Sequence, residues 1–217
     1  MNNLCPQLHE SLARCARHHF PFDKGAIPSN GIYVLYEANE LGHGADRIVR
    51  VGTHTGEAQL PSRLRQHFMY ENKDRSIFRK NIGRALLGKE EDPFLDDWNV
   101  DLTTRKARER NSGKIDKTKL KIVEARVTDY IQRAFSFVVL PIQDKGRRLT
   151  IESKLISSVS WCGGCTPSEA WLGQHSPKEK IRESGLWLVN ELYKESLSEQ
   201  DLSELLLSAG QDGYITN

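Results

Sequence analysis

A chain of 217 residues, 38% of them hydrophobic, has enough apolar material for one sizeable core with helical additions. No stretch approaches the roughly 20 apolar residues of a membrane-spanning helix, and the opening MNNLCPQLHESLARCARHH has no continuous apolar run of the signal-peptide kind. The expectation is a cytoplasmic protein with no membrane partner, its four cysteines reduced.

In chain order, Leu4, Leu8, Leu12 and Cys15 recur at helical spacing and predict an amphipathic N-terminal helix. Pro21 and the turn-like KGAIPSNG end that segment. GIYVLYEA reads as a strand, NELGHGAD as a glycine-rich hairpin loop and RIVRVGT as its partner strand. Pro61 sits well in the first turn of a helix carrying RLRQH. SIFRKNIGRALLG is a second helix, with Ile77, Ile82, Ala85 and Leu86 on one side and Gly88 as its stop. Residues 89–120 read as loop with helix fragments. KIVEARVTDYIQRAF fits strand or helix, because its period is not clean. FSFVVLPI is the clearest buried strand, followed by a helix in IESKLISSVS and a loop in WCGGCTPSEAWLGQHSP. Ser176 and Glu179 form a capping-box pattern with Pro177 between them, opening a helix through LWLVNELYKE. A last amphipathic helix ends at Gly210. The apolar residues of these C-terminal helices, among them Leu186, Trp187, Val189, Leu192, Leu202, Leu205 and Leu206, suit core packing or a dimer face. A homodimer or larger complex fits this reading.

The net charge of +2 is unevenly spread. Lys73, Arg75, Arg79, Lys80, Arg84 and Lys89 face only Asp74 in their stretch. Residues 101–121 are also rich in lysine and arginine, whereas the C-terminal segment is acidic. A polyanion would meet the middle of the chain. Arg65, Arg75, Arg79, Lys80, Arg84, Arg105, Lys106 and Arg108 are the candidate nucleic-acid contacts, positioning a backbone without reading its sequence.

The order of elements brings chemistry together. Alternate side chains of a hairpin share a face, so Tyr33 points to the same side as residues of RIVRVGT. Arg63 and His67, at i and i+4, share one helical face. Glu152 lies in the helix that follows the buried strand. Taken singly, each has a structural use: a packed tyrosine, an exposed arginine, a satisfied histidine, a carboxylate near a helix N-terminus. A phenol, a guanidinium, an imidazole and a carboxylate together suit phosphodiester hydrolysis: a proton acceptor, a cation for the phosphorane and a ligand for a metal.

With these residues in view, the chain resembles the GIY-YIG nucleases, a superfamily that includes homing endonucleases, excision-repair incision subunits and some restriction enzymes. The first motif is Gly31-Ile32-Tyr33. The second is Arg50-Val51-Gly52, followed by THTG and LPSRLRQHF. The family's helix arginine falls on Arg63, its histidine on His67 and its metal-binding glutamate on Glu152. The matching stretches are residues 31–68 and 135–160. Two departures stand out. Arg50 replaces the second motif's tyrosine and cannot accept a proton at neutral pH, so it would hold phosphate or favour the Tyr33 phenolate. An insertion over about 69–133 also exceeds the family's minimal core.

The resemblance implies an α/β (α+β) fold with a small three-stranded mixed or antiparallel sheet flanked by helices. The expected segments are an N-terminal helical piece over 1–28, a nuclease core over 29–172 with the basic insertion, and C-terminal helices over 173–217 packed on it. It implies a divalent-metal-dependent DNA endonuclease using Mg²⁺ (or Mn²⁺). Its catalytic residues would be Tyr33, Arg50, Arg63, His67 and Glu152, with Glu152 the metal ligand. The alternatives are an inactive nucleic-acid-binding module on the same scaffold, or an RNA nuclease. Cys162 and Cys165 have the spacing of half a zinc site. Cys5 with Cys15, or His18 with His19, makes no standard second half. The expectation is therefore a glycine-containing loop with two thiols, whose replacement by serine leaves folding and metal content unchanged.

Overall fold

A computed structural model describes residues 4–111 and 113–211, the side chains of 208–211 excepted. The outermost residues of the expected terminal segments, 1–3 and 212–217, lie outside the described residues, as does residue 112 of the insertion. The helices are α1 (Cys5–Ala13), α2 (Leu60–Phe68), α3 (Ile77–Lys89), α4 (Leu95–Asn99), α5 (Arg105–Asn111), α6 (Lys117–Ala134), α7 (Lys145–Ser160), α8 (Glu179–Ser184) and α9 (Glu199–Gln211). The strands are β1 (His18–His19), β2 (Gly31–Gly42), β3 (Ala45–Gly52) and β4 (Phe135–Pro141). They form one antiparallel sheet in the order β1-β4-β2-β3. The expected α/β fold stands, with a fourth strand: His18 and His19 pair with Phe137 and Ser136 and extend the sheet by a two-residue edge too short to show a period.

The central strand β2 is buried on both faces, which explains its unbroken apolar run. Ile32, Val34 and Tyr36 join Leu8 and Leu12 of α1, Leu155 and Val159 of α7, and Leu202 and Leu205 of α9 on one side. Tyr33 and Leu35 join Leu64 and Phe68 of α2, Phe78 and Ile82 of α3, and Val127 and Ile131 of α6 on the other. The result is a sheet between two helical layers. The hairpin turns at His43 and Gly44, with φ of 55° and 75°. Two positive φ values in a two-residue loop are what a type I′ turn needs, and a glycine supplies one of them without strain.

One element left open by the sequence is settled, and another differs from expectation. KIVEARVTDYIQRAF is helix: Val123, Val127 and Ile131 are buried four apart, and Asp116 caps the start by accepting from the amides of Thr118 and Lys119. The helix expected from Ser176 through LWLVNELYKE is only α8. It begins after Lys178, and Gly185, at φ 67°, stops it. Beyond Gly185 the chain crosses the edge of β3. The Trp187 amide donates to the Val49 carbonyl at 2.8 Å, and Glu37, buried in β2, accepts the indole N–H of Trp171 and Trp187 at 2.8 and 2.7 Å. Arg47, fully buried and paired with Glu40 at 2.6 Å, also donates to the Gly185 carbonyl at 2.6 Å. These bonds decide the backbone path of this segment, and helical periodicity does not.

Candidate active site

Tyr33 and Gly52 are register partners on β2 and β3. A Cβ at Gly52 would lie 2.2 Å from the Tyr33 hydroxyl, so only glycine lets the ring cross the neighbouring strand. The Tyr33 hydroxyl meets His67 Nε2 at 2.8 Å, and His67 Nδ1 meets Ser76 Oγ at 2.7 Å. Ser76 is fixed in turn as the cap of α3, accepting the Arg79 amide. His67 is completely buried, and its pKa is driven well below 6.5 by desolvation, with Arg63, Arg50 and Arg79 adding to the effect. The imidazole is neutral.

A β-bulge between Leu35 and Tyr36 of β2 gives β3 an extra residue beside Arg50. Bulges of this kind re-aim side chains. The Arg50 guanidinium lies over the Phe78 ring, 5.3 Å from its centroid, and donates through Nη1 to the Trp187 carbonyl. Its Nε is buried and has no hydrogen-bond partner among the described residues. Arg50 lines a cavity of about 400 Å³ together with Asn81, Glu152, Asn190 and Glu191. Asn81, buried on α3, uses Oδ1 to accept from Arg84, and its Nδ2 has no partner. The two residues that carry these donors thus line one cavity, and a buried donor without an acceptor costs free energy.

Glu152, two turns into α7, accepts the Thr53 amide at 2.9 Å through Oε1. Its other oxygen has no hydrogen-bond partner among the described residues. Burial raises the carboxyl's pKa, opposed first by Arg50 and then by the Thr53 hydrogen bond; Glu191 adds to the rise and Arg63 opposes it. Thr53 also lines a second hollow of about 310 Å³ with His54, Gln59, Ser62 and Arg63. Arg63 donates to Gln66 Oε1 at 3.1 Å and to the Arg75 carbonyl at 3.0 Å.

The structure thus brings Tyr33 and His67 together as one buried pair and Arg50 and Glu152 together at one cavity. Arg63 acts electrostatically on both His67 and Glu152. Tyr33, 1% exposed, is not among the residues lining that cavity. Sequence reasoning missed Asn81, Ser76, Thr53 and the Trp187 carbonyl. Asn81 carried a signal: it is a polar residue four positions from both Ile77 and Ala85, inside the apolar stripe of α3.

The basic residues divide by burial. Arg79 is fully buried, with Nη2 2.8 Å from Glu124 Oε2 and further bonds to the His67 carbonyl and Thr128. Lys80 sits beside Asp74, and Arg84 bonds Asn99 and Asn81. These three are removed from the expected nucleic-acid surface, because they are buried and their polar atoms bond within the protein. Arg75, Arg105, Lys106 and Arg108 are exposed, and Arg65 is half-buried over the Tyr70 ring.

The two-thiol loop packs against the N-terminal helix. Cys165 Sγ lies 3.3 Å from Cys5 Sγ, and Cys5, His9, His43 and Cys165 place ligand-type atoms within 4.8 Å of one another. Of the two loop thiols only Cys165 belongs to this group; its neighbours there are Cys5 and His9, one turn apart on α1, and His43 of the hairpin turn.

A family model described as GIY-YIG domain matches residues 7–209. Comparison with curated proteins finds no match, and neither does comparison with solved structures.

Proposed function

The chain belongs to the GIY-YIG family of nucleases, and on that premise we propose that it is a divalent-metal-dependent endonuclease that hydrolyses DNA phosphodiester bonds. Nucleic acid is the substrate class of such a domain, and its members generally use divalent metals. One observation carries the reading. Arg50 and Asn81, each with a side-chain N–H that has no partner among the described residues, line one cavity with Glu152, whose second oxygen is also without one. Arg50 and Asn81 suit a phosphate, and the Glu152 carboxylate would suit a hard cation.

In this reading Glu152 would hold the metal, whose chemistry when bound is Lewis-acid stabilisation of charge on the phosphate oxygens. Tyr33 would act as its phenolate and take the proton of the attacking water, its oxygen held by the Nε2–H of a neutral His67. That arrangement needs the His67 tautomer protonated on Nε2, with Nδ1 accepting from the Ser76 hydroxyl. The water oxygen forms the new bond to phosphorus, and the bond to the leaving sugar oxygen breaks, that oxygen taking a proton from solvent. Arg50, Asn81 and Arg63 stabilise the phosphorane charge. Exposed Arg75, Arg105, Lys106 and Arg108 would contact the backbone.

The burial of Tyr33 supports a second reading, in which the scaffold binds nucleic acid without cutting it. Nicking of supercoiled plasmid with Mg²⁺ or Mn²⁺, beside single-stranded DNA and RNA, separates these. Cleavage of DNA that disappears with chelator is the expected result. Binding without cleavage favours the second reading, and cleavage of RNA alone reassigns the substrate.

A further inference from the structure

We propose that Cys5, His9, His43 and Cys165 form a structural zinc site. The four come from α1, the hairpin turn and the loop after α7, so they converge only in the folded chain. A tetrahedral zinc separates two thiolate sulfurs by about 3.8 Å and a sulfur from an imidazole nitrogen by about 3.6 Å. Cys5 Sγ and Cys165 Sγ are 3.3 Å apart, and Cys165 Sγ and His9 Nε2 are 3.8 Å apart. All four ligand atoms fall within 4.8 Å of one another, so small side-chain rotations close the set.

The surroundings favour an ion. His9 Nδ1 donates to the Cys5 carbonyl at 2.9 Å, which fixes the tautomer and leaves Nε2 with its lone pair. The Ile48 amide also points at Nε2, at 3.3 Å, and metal binding would take that lone pair instead. Cys5, His9 and Cys165 are buried, and His43 closes the set from the exposed side. A Cβ at Gly164 would lie 2.6 Å from His43 Cε1, so the glycine beside Cys165 makes room for that ring. Cys162 Sγ, 3.1 Å from His43 Nε2, lies at the rim. Two thiolates and two neutral imidazoles around Zn²⁺ carry no net charge, which makes burial tolerable. Bound zinc would tie α1 and the loop after α7 to the hairpin, apart from any ion at Glu152.

The test is metal analysis of the full chain purified from zinc-supplemented medium. About one zinc per chain is expected, and cobalt in its place should give thiolate charge-transfer and tetrahedral visible bands. Cys5→Ser and Cys165→Ser should each bring zinc below about a tenth of that, while Glu152→Gln keeps it. If the serine variants do not fold, the wild-type protein decides. Chelation should lower its melting temperature, and zinc, but not magnesium, should restore it. A folded wild-type chain without stoichiometric zinc and without the cobalt spectrum overturns the site, as does a Cys5–Cys165 disulfide in the native mass.

Discussion

Tyr33 Oη sits where the Cβ of any residue other than glycine at position 52 would be, 2.2 Å from it. The glycine of the second motif therefore serves the tyrosine of the first. Gly52→Ala should force the ring off His67 and strain the paired strands. Overpacking of this kind costs about 1–3 kcal/mol. A lower melting temperature with loss of nicking is the expected pair of results. Unchanged nicking would show that the position of the Tyr33 hydroxyl does not matter to the chemistry.

His67 predicts a pH dependence. Its folded pKa lies well below its ordinary 6.5, because burial and nearby arginines disfavour the cation. Below pH 6.5 the unfolded chain takes up a proton that the folded chain refuses. Stability from this residue is then lost as pH falls, by up to about 1.4 kcal/mol per pH unit, until the folded pKa is reached. The raised carboxyls of Glu37, Glu124 and Glu152 act in the opposite direction. The readout is accordingly the difference between wild type and His67→Gln in denaturant titrations from pH 7 to pH 5. Parallel curves for the two proteins would contradict the assignment.

Glu152→Gln keeps the acceptor for the Thr53 amide but removes the charge. Cleavage should fall to background while DNA affinity in chelator stays within about twofold. Residual nicking at the wild-type rate would show that another group holds the ion.

Asn81→Asp retains the oxygen that accepts from Arg84 and replaces the orphaned donor with negative charge. DNA binding and cleavage should both weaken, by about tenfold or more for a lost charge-assisted contact. A variant that binds as well as wild type would remove this cavity from the phosphate site.

The basic residues should split into two classes. Arg79→Met leaves Glu124 buried without its partner and should destabilise the chain by about 3–5 kcal/mol. Arg75→Gln and Lys106→Gln should leave the melting temperature alone and each lower the salt dependence of DNA binding by about one counterion. Salt titrations of binding and thermal melts of the three variants check both halves.

The hairpin, the RLRQH helix and the strand–helix placement of Glu152 were legible because period, turn residues and motif order agreed. Helix α6 was not, since its β-branched Val123, Val127 and Ile131 favour strands by type while their spacing of four marks a helix. Charge misled for a different reason. Sequence shows that Arg79 is cationic but not that Glu124, 45 positions away, waits for it inside the core. The thiols and imidazoles were paired by neighbourhood, Cys5 with Cys15 and His18 with His19. The helix pairs Cys5 with His9, and the fold supplies Cys165 from the far end of the chain. Asn81 stood out in an apolar stripe, yet its significance depends on a cavity whose other walls come from α7 and the segment near residue 190.

The Trp187 backbone grips β3 twice, taking the Arg50 guanidinium on its carbonyl and giving its amide to Val49. During synthesis, therefore, both motif strands, the RLRQH helix and Glu152 leave the ribosome before Arg50 acquires its anchor. The nascent chain can fold much of its sheet while its second motif is still unfastened. Competence to cut should arrive late and abruptly, when the residues around Trp187 emerge and dock.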